Sequence, residues 1–102
     1  MNYAVVWREN AGPLYAGRAE LSTRALVLAG AAPGGLVSVR RLLFEEIRQV
    51  RFGRSQAERL GGRTTLLLEL DDGATKIAPL GGAGALHELA DDLARQSGKA
   101  AA

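Results

Sequence analysis

Residues 63–93 read RTTLLLELDDGATKIAPLGGAGALHELADDL. Three signals follow one another along them. From 63 to 70 the side chains alternate, with Thr64, Leu66, Leu68 and Leu70 on one face of a pleated strand. Asp71-Asp72-Gly73 is a hairpin signal, because Asp-Gly tolerates the positive φ of a tight turn. Residues 74–78 complete that hairpin. After Pro79 the period changes: Leu86, Leu89, Ala90 and Leu93 fall at i, i+3, i+4 and i+7, which predicts a helix from near Gly84 to near Gln96. Glu88, Asp91, Asp92 and Arg95 lie off that stripe, which places them on a solvated helix face.

Upstream, the pattern is one of short strands. Residues 3–8 alternate, with Tyr3, Val5 and Trp7 on one side, and Trp7 is expected in the core. Asn10-Ala11-Gly12-Pro13 is a turn cluster. Residues 14–21 and 24–29 form two extended runs close enough for a hairpin, with Gly17 marking a bulge or a close approach. Residues 30–35 are loop-like, 36–41 a fourth strand with Val37 and Val39 alternating against Ser38 and Arg40, and 47–54 a fifth. Residues 42–46 read either as a strand end or as a short helical turn, and 55–62 as a polar loop ending in Gly-Gly. Seven strands with no helix between them exclude a parallel βαβ array. The expected fold is mainly β, with about seven antiparallel strands curled into a partly open barrel or orthogonal sandwich and capped by one C-terminal helix. One domain over 1–97 and a disordered tail over 98–102 are expected.

This order of elements resembles a pleckstrin-homology-like (PH-like) domain, including its bacterial PH-like and GRAM-type relatives. Gly17-Arg18-Ala19-Glu20-Leu21 followed by Ala25-Leu26-Val27-Leu28 is similar to that family's second and third strands. Leu43-Phe44-Glu45-Glu46-Ile47-Arg48-Gln49-Val50 is similar to its apolar–acidic–Ile–x–x–Val strand, and the Asp71-Asp72-Gly73 hairpin and final helix complete a likeness over about residues 2–96. The resemblance implies recognition of lipids, peptides or proteins and no catalysis. Where some PH domains carry a dense basic cluster for phosphoinositides, this chain offers Arg8 and Arg18 beside Glu9 and Glu20, which argues against that ligand.

The composition narrows the function classes. The 102 residues carry 47% apolar and 24% charged side chains, an ordinary globular balance, and lack cysteine, which excludes disulfides and thiol chemistry. No apolar run reaches the roughly 18–20 residues of a membrane span, and Arg8 and Glu9 interrupt any leader-like stretch, so a cytoplasmic protein is expected. The net charge of +2 is low for a nucleic-acid binder. Eleven of the thirteen basic residues are Arg, a bias that GC-rich coding also produces.

Each chemical motif has a plain structural reading. Glu45/Glu46, Asp71/Asp72 and Asp91/Asp92 are read as strand, turn and helix-surface pairs, with no catalytic role. His87, the single histidine, is expected on a helix flank, with Asp91 the one candidate at i+4 for a metal site and no cysteine to help. Gly81-Gly82-Ala83-Gly84 lacks the third glycine of a dinucleotide fingerprint and the Gly-Lys-Ser/Thr of a P-loop, and reads as a hinge into the helix. No cofactor or metal is expected. The 40–63 segment remains, with Arg40, Arg41, Arg48, Arg51, Arg54, Arg59 and Arg63 against Glu45, Glu46 and Glu58, a local excess of +4 (seven minus three). It is the candidate anion or partner surface, opposed to an acidic helix. A protein partner or a second copy is the expected ligand, with anionic lipid head groups as the alternative. Phe44 and Phe52 sit at core-like positions, so base stacking on nucleic acid is not expected.

Overall fold

In a computed structural model that describes residues 2–99 and 101, the strands are β1 (Asn2–Glu9), β2 (Tyr15–Leu21), β3 (Ala25–Ala31), β4 (Val37–Leu43), β5 (Ile47–Phe52), β6 (Leu66–Leu70) and β7 (Gly73–Pro79), followed by the helix α1 (Ala83–Ser97). They form one antiparallel sheet in the order β4-β3-β2-β1-β7-β6-β5. The pairing of β1 with β7 joins a four-strand meander to a three-strand meander and curls the sheet into a half-barrel. β4 and β5 are its two edges, although only a 3₁₀ turn, Phe44–Glu46, separates them in sequence. The ambiguous 42–46 stretch is thus both things: the end of a strand, then one helical turn closed by the Leu43 N–H on the Glu46 carboxylate, 3.0 Å away.

The inner face follows from the register. Tyr3, Val5 and Trp7 of β1 lie opposite Ala19, Gly17 and Tyr15 of β2. Trp7 is wholly buried, stacks on Tyr15 with ring centroids 4.6 Å apart, and donates its indole N–H to the Ala29 carbonyl at 3.1 Å. Gly17 is a close approach and not a bulge: β2 and β3 pair without interruption, and a Cβ at Gly17 would stand 2.0 Å from the Ala29 carbonyl oxygen. The β6–β7 turn has Gly73 at φ 147°, where a Cβ would strike the Asn10 side chain that caps the Ala74 N–H.

Leu86, Leu89, Ala90 and Leu93 of α1 bury into the hollow of the half-barrel, in one cluster with Tyr3, Trp7, Leu28, Leu68 and Ile77. Gly98, in the left-handed region at φ 75°, caps the helix, and Ala101 packs partly against the core. Of the expected tail, residues 100 and 102 lie outside the described residues.

Two expectations change in detail. Arg63, Thr64 and Thr65 precede β6 and do not belong to it. Residues 55–62 are no open polar loop: they form two 3₁₀ turns, Gln56–Glu58 and Leu60–Gly62, and Leu60 is buried against Val6 and Ala78 on the outer face. One apolar side chain with a place to go suffices to fold that segment down.

Candidate functional site

The arginines of the 40–63 segment do not share one surface role. Arg51, on β5, is bound twice, to Glu58 at 2.5 Å and to Glu69 at 3.4 Å. Glu58 also receives the backbone N–H groups of Arg54 and Ser55. The Arg51 guanidinium, helped by those N–H groups, lowers the Glu58 pKa to about 2. Lys76 adds a bond to the Ala57 carbonyl at 2.9 Å, and Leu60 N–H donates to the Thr65 hydroxyl at 2.9 Å. Arg51 therefore latches the 55–62 segment over the sheet. Arg63 donates to the Pro79 carbonyl at 3.1 Å. Arg48 pairs with Asp71 at 2.5 Å, both exposed, a contact worth little in water.

Arg40 and Arg41 lie on the opposite edge, on β4. Arg40 pairs with Glu9 at 2.8 Å. That hydrogen bond, with the nearby charges of Asp72 and Glu46, raises its pKa and keeps it protonated. It borders a cleft of about 270 Å³ between β4 and the β6–β7 turn, lined also by Leu42, Glu46, Leu70, Asp71 and Asp72. Arg41 faces outward, beside a second cleft of about 430 Å³ where Arg24, Phe44 and Glu45 meet Gln96 and Ser97 at the end of α1. Arg54 and Arg59 are exposed on the latched segment. Arg41, Arg54 and Arg59 make no ion pair among the described residues.

The helix is less uniformly acidic outside than its sequence implies. Asp92 is buried, at 8% exposure; it accepts a hydrogen bond from the Tyr3 hydroxyl and pairs with Arg95. It sits one turn beyond Leu89, at the margin of the apolar stripe, where it meets the first strand in place of solvent. Burial pushes the Tyr3 hydroxyl pKa up, with Glu88 adding and Arg95 opposing, so the hydroxyl stays a donor. His87 lies exposed on the helix flank with its ring 5.0 Å from that of Phe52. Among the described residues no three His, Asp or Glu side chains converge as a metal site, and no helix is long and apolar enough to cross a membrane.

The residues missed at sequence level are Leu36, Val37 and Val39, exposed by 53%, 70% and 68%. Val37 and Val39 face outward along the β4 edge, and Leu36 directly precedes them. No local signal marked them: Leu42 shares its face with Ser38 and Arg40, and its burial opposite Leu26, a long-range pairing, turns Val37 and Val39 to solvent. Comparison of the chain with protein-family models, with curated proteins and with solved structures returned no match.

Proposed function

We propose that this chain is a non-enzymatic, PH-like interaction module that works through protein contacts at the β4 edge of its half-barrel. One observation carries the reading: an unpaired edge strand bordered by three exposed aliphatic side chains, Leu36, Val37 and Val39. Exposed apolar groups clustered on a free strand edge suit recognition by strand addition, in which backbone hydrogen bonds supply affinity and alternate side chains supply specificity. The charged groups support a binding role over a chemical one. Arg40, Arg48, Arg51, Glu58 and Asp92 are each held by a partner within the chain.

The membrane alternative rests on fewer residues than the sequence suggests. Four of the seven arginines have internal partners, which leaves Arg41, Arg54 and Arg59. At about 1 kcal/mol per basic residue near an anionic surface, three are a weak anchor. Two measurements separate the readings. Immobilised wild-type chain and its Val39→Lys variant are compared for the proteins they retain from host lysate. Equal retention by both overturns the β4 reading. Sedimentation with anionic vesicles at low salt, lost on replacing Arg41, Arg54 and Arg59 by Ala, establishes the lipid alternative in its stead.

A further inference from the structure

The outer face of the sheet is covered on one half only. Over β1 and β7 lies the segment carrying Leu60. Over β2, β3 and β4 the outward rows are Ala16–Ala31–Val37 and Arg18–Ala29–Val39, and all but Ala29 in these rows are exposed. Along β4 the usual alternation is inverted, since Ser38 and Arg40 share the inner face with buried Leu42 while the valines face out.

The backbone of β4 is open on the same side. The Ala32 N–H donates to the Leu36 carbonyl at 2.7 Å and the Phe44 N–H to the Arg24 carbonyl at 2.9 Å. Hydrogen-bonded and non-bonded pairs alternate along an antiparallel ladder. Ser38, Arg40 and Leu42 therefore spend their N–H and C=O groups on β3, and those of Val37, Val39 and Arg41 point away from the sheet. The other edge is guarded by the usual devices, a bulge between Ile47 and Gln49 and the charged side chains of Arg48 and Arg51.

We propose that the β4 edge is an interface between two copies of this chain, with β4 pairing antiparallel to β4 of a second copy about a two-fold axis at Val39. The inference rests on the interaction-module reading and names its partner. Charge rules out the register centred on Arg41, and the Gly35 N–H, spent on the Ala32 carbonyl at 3.1 Å, disfavours the one centred on Val37. Centred on Val39, the two Arg41 residues stay four positions apart, about 13 Å along the strand. Each then lies opposite Val37 of the other copy. Centred on Arg41, the two guanidinium groups would face each other directly, which is unfavourable. Arg40, on the inner face, is already neutralised by Glu9 at 2.8 Å. The chosen register forms six backbone hydrogen bonds through Val37, Val39 and Arg41, and joins the two Ala29–Val39 rows into one apolar strip. Such an isologous contact uses the patch on both copies and closes at two. One strand edge and its bordering aliphatics sit at the small end of specific interfaces, below about 1,200 Å² in total, so the dimer is concentration-dependent.

Light scattering on the purified full chain, from about 10 μM to about 1 mM, is expected to show the mass rising from 10.7 kDa toward twice that value. Val39→Lys stays monomeric over the same range with an unchanged far-ultraviolet spectrum. The chain has no cysteine, so Val39→Cys introduces a single thiol. Paired Cα atoms about 5.5 Å apart suit a disulfide, and this variant cross-links under mild oxidation while Gln49→Cys, on the guarded edge, does not. A wild-type chain that remains monomeric throughout, a Val39→Lys variant that dimerises equally, or equal cross-linking at both positions overturns the inference. A monomeric chain whose capture of another protein still depends on Val39 would remove the second copy and leave the interaction-module reading intact.

Discussion

Gly17→Ala tests the account of how the sheet closes over Trp7. The added methyl would lie 2.0 Å from the Ala29 carbonyl oxygen, 2.5 Å from the Gly30 Cα and 2.8 Å from the Ala29 carbonyl carbon. All three are backbone atoms, so no side chain can swing aside and the β2–β3 ladder must open at this pair. Overpacking of this kind costs about 1–3 kcal/mol. The same carbonyl accepts the Trp7 indole N–H. Displacing it strands a donor on a fully buried side chain, for a further loss of about 1–3 kcal/mol. Reduced freedom of the unfolded chain returns about 0.4–1 kcal/mol. The net loss is about 1–5 kcal/mol out of the roughly 5–15 kcal/mol typical of a domain. For about 100 residues this lowers the thermal midpoint by roughly 5–25 °C. Circular dichroism gives the midpoint, and the emission of the chain's single tryptophan reports the site directly. Gly84→Ala, in α1 with nothing within 4 Å of the new methyl, is the matched control and gains up to about 1 kcal/mol. A Gly17→Ala protein melting within about 4 °C of wild type, with unshifted emission, would refute the close approach and the role given to Ala29.

Three further outcomes are expected. Leu89→Ala, at a position with no solvent exposure, opens a cavity between α1 and the sheet and loses about 2–5 kcal/mol in urea unfolding. Tyr3→Phe removes the donor to Asp92 and loses about 1–3 kcal/mol in the same assay. The third concerns pH. Glu58 has a folded-state pKa near 2, below its ordinary value of 4.5, so it contributes stability that is complete above 4.5 and is lost as the pH falls toward 2. Glu58→Gln should therefore flatten the acid limb of the stability profile within that window, and a limb of unchanged slope would contradict the Arg51 latch.

The strand count, the Asp-Gly hairpin and the helix were legible because each is a local signal. Period 2 and period 3.6 need only neighbouring residues, and Leu86, Leu89, Ala90 and Leu93 announce their face without reference to the sheet. The positions of the ends were less legible for the same reason. Arg63 and Thr64 continue the alternation of β6 but lie beyond its pairing partners on β5 and β7, which only the folded register decides. Asp92 was misplaced because nothing local to the helix shows that Tyr3, 89 residues earlier, brings a hydroxyl to its carboxylate. The seven arginines read as one basic segment because charge was summed along the chain. The fold then sends Arg40 and Arg41 to one sheet edge and Arg48 and Arg51 to the other.

The same reasoning explains why the proposed interface was invisible in a pattern that looked ordinary. Val37-Ser38-Val39-Arg40 has the alternation of a strand with valines inside and polar groups in water. Period 2 fixes which residues share a face but not which face is buried. Two long-range ties settle that. Leu26 opposite Leu42 draws Leu42 into the core, and Glu9 at the end of β1 holds Arg40 on the same face. Both act on the even-numbered residues, so the odd-numbered valines must emerge. Removing Arg40's partner tests one tie without touching the other. If Leu42 alone sets the parity, Glu9→Gln leaves Val37 and Val39 exposed and the edge competent to pair. The inverted strand is then a consequence of core packing, and the salt bridge serves only to neutralise a charge that would otherwise stand beside the two-fold axis.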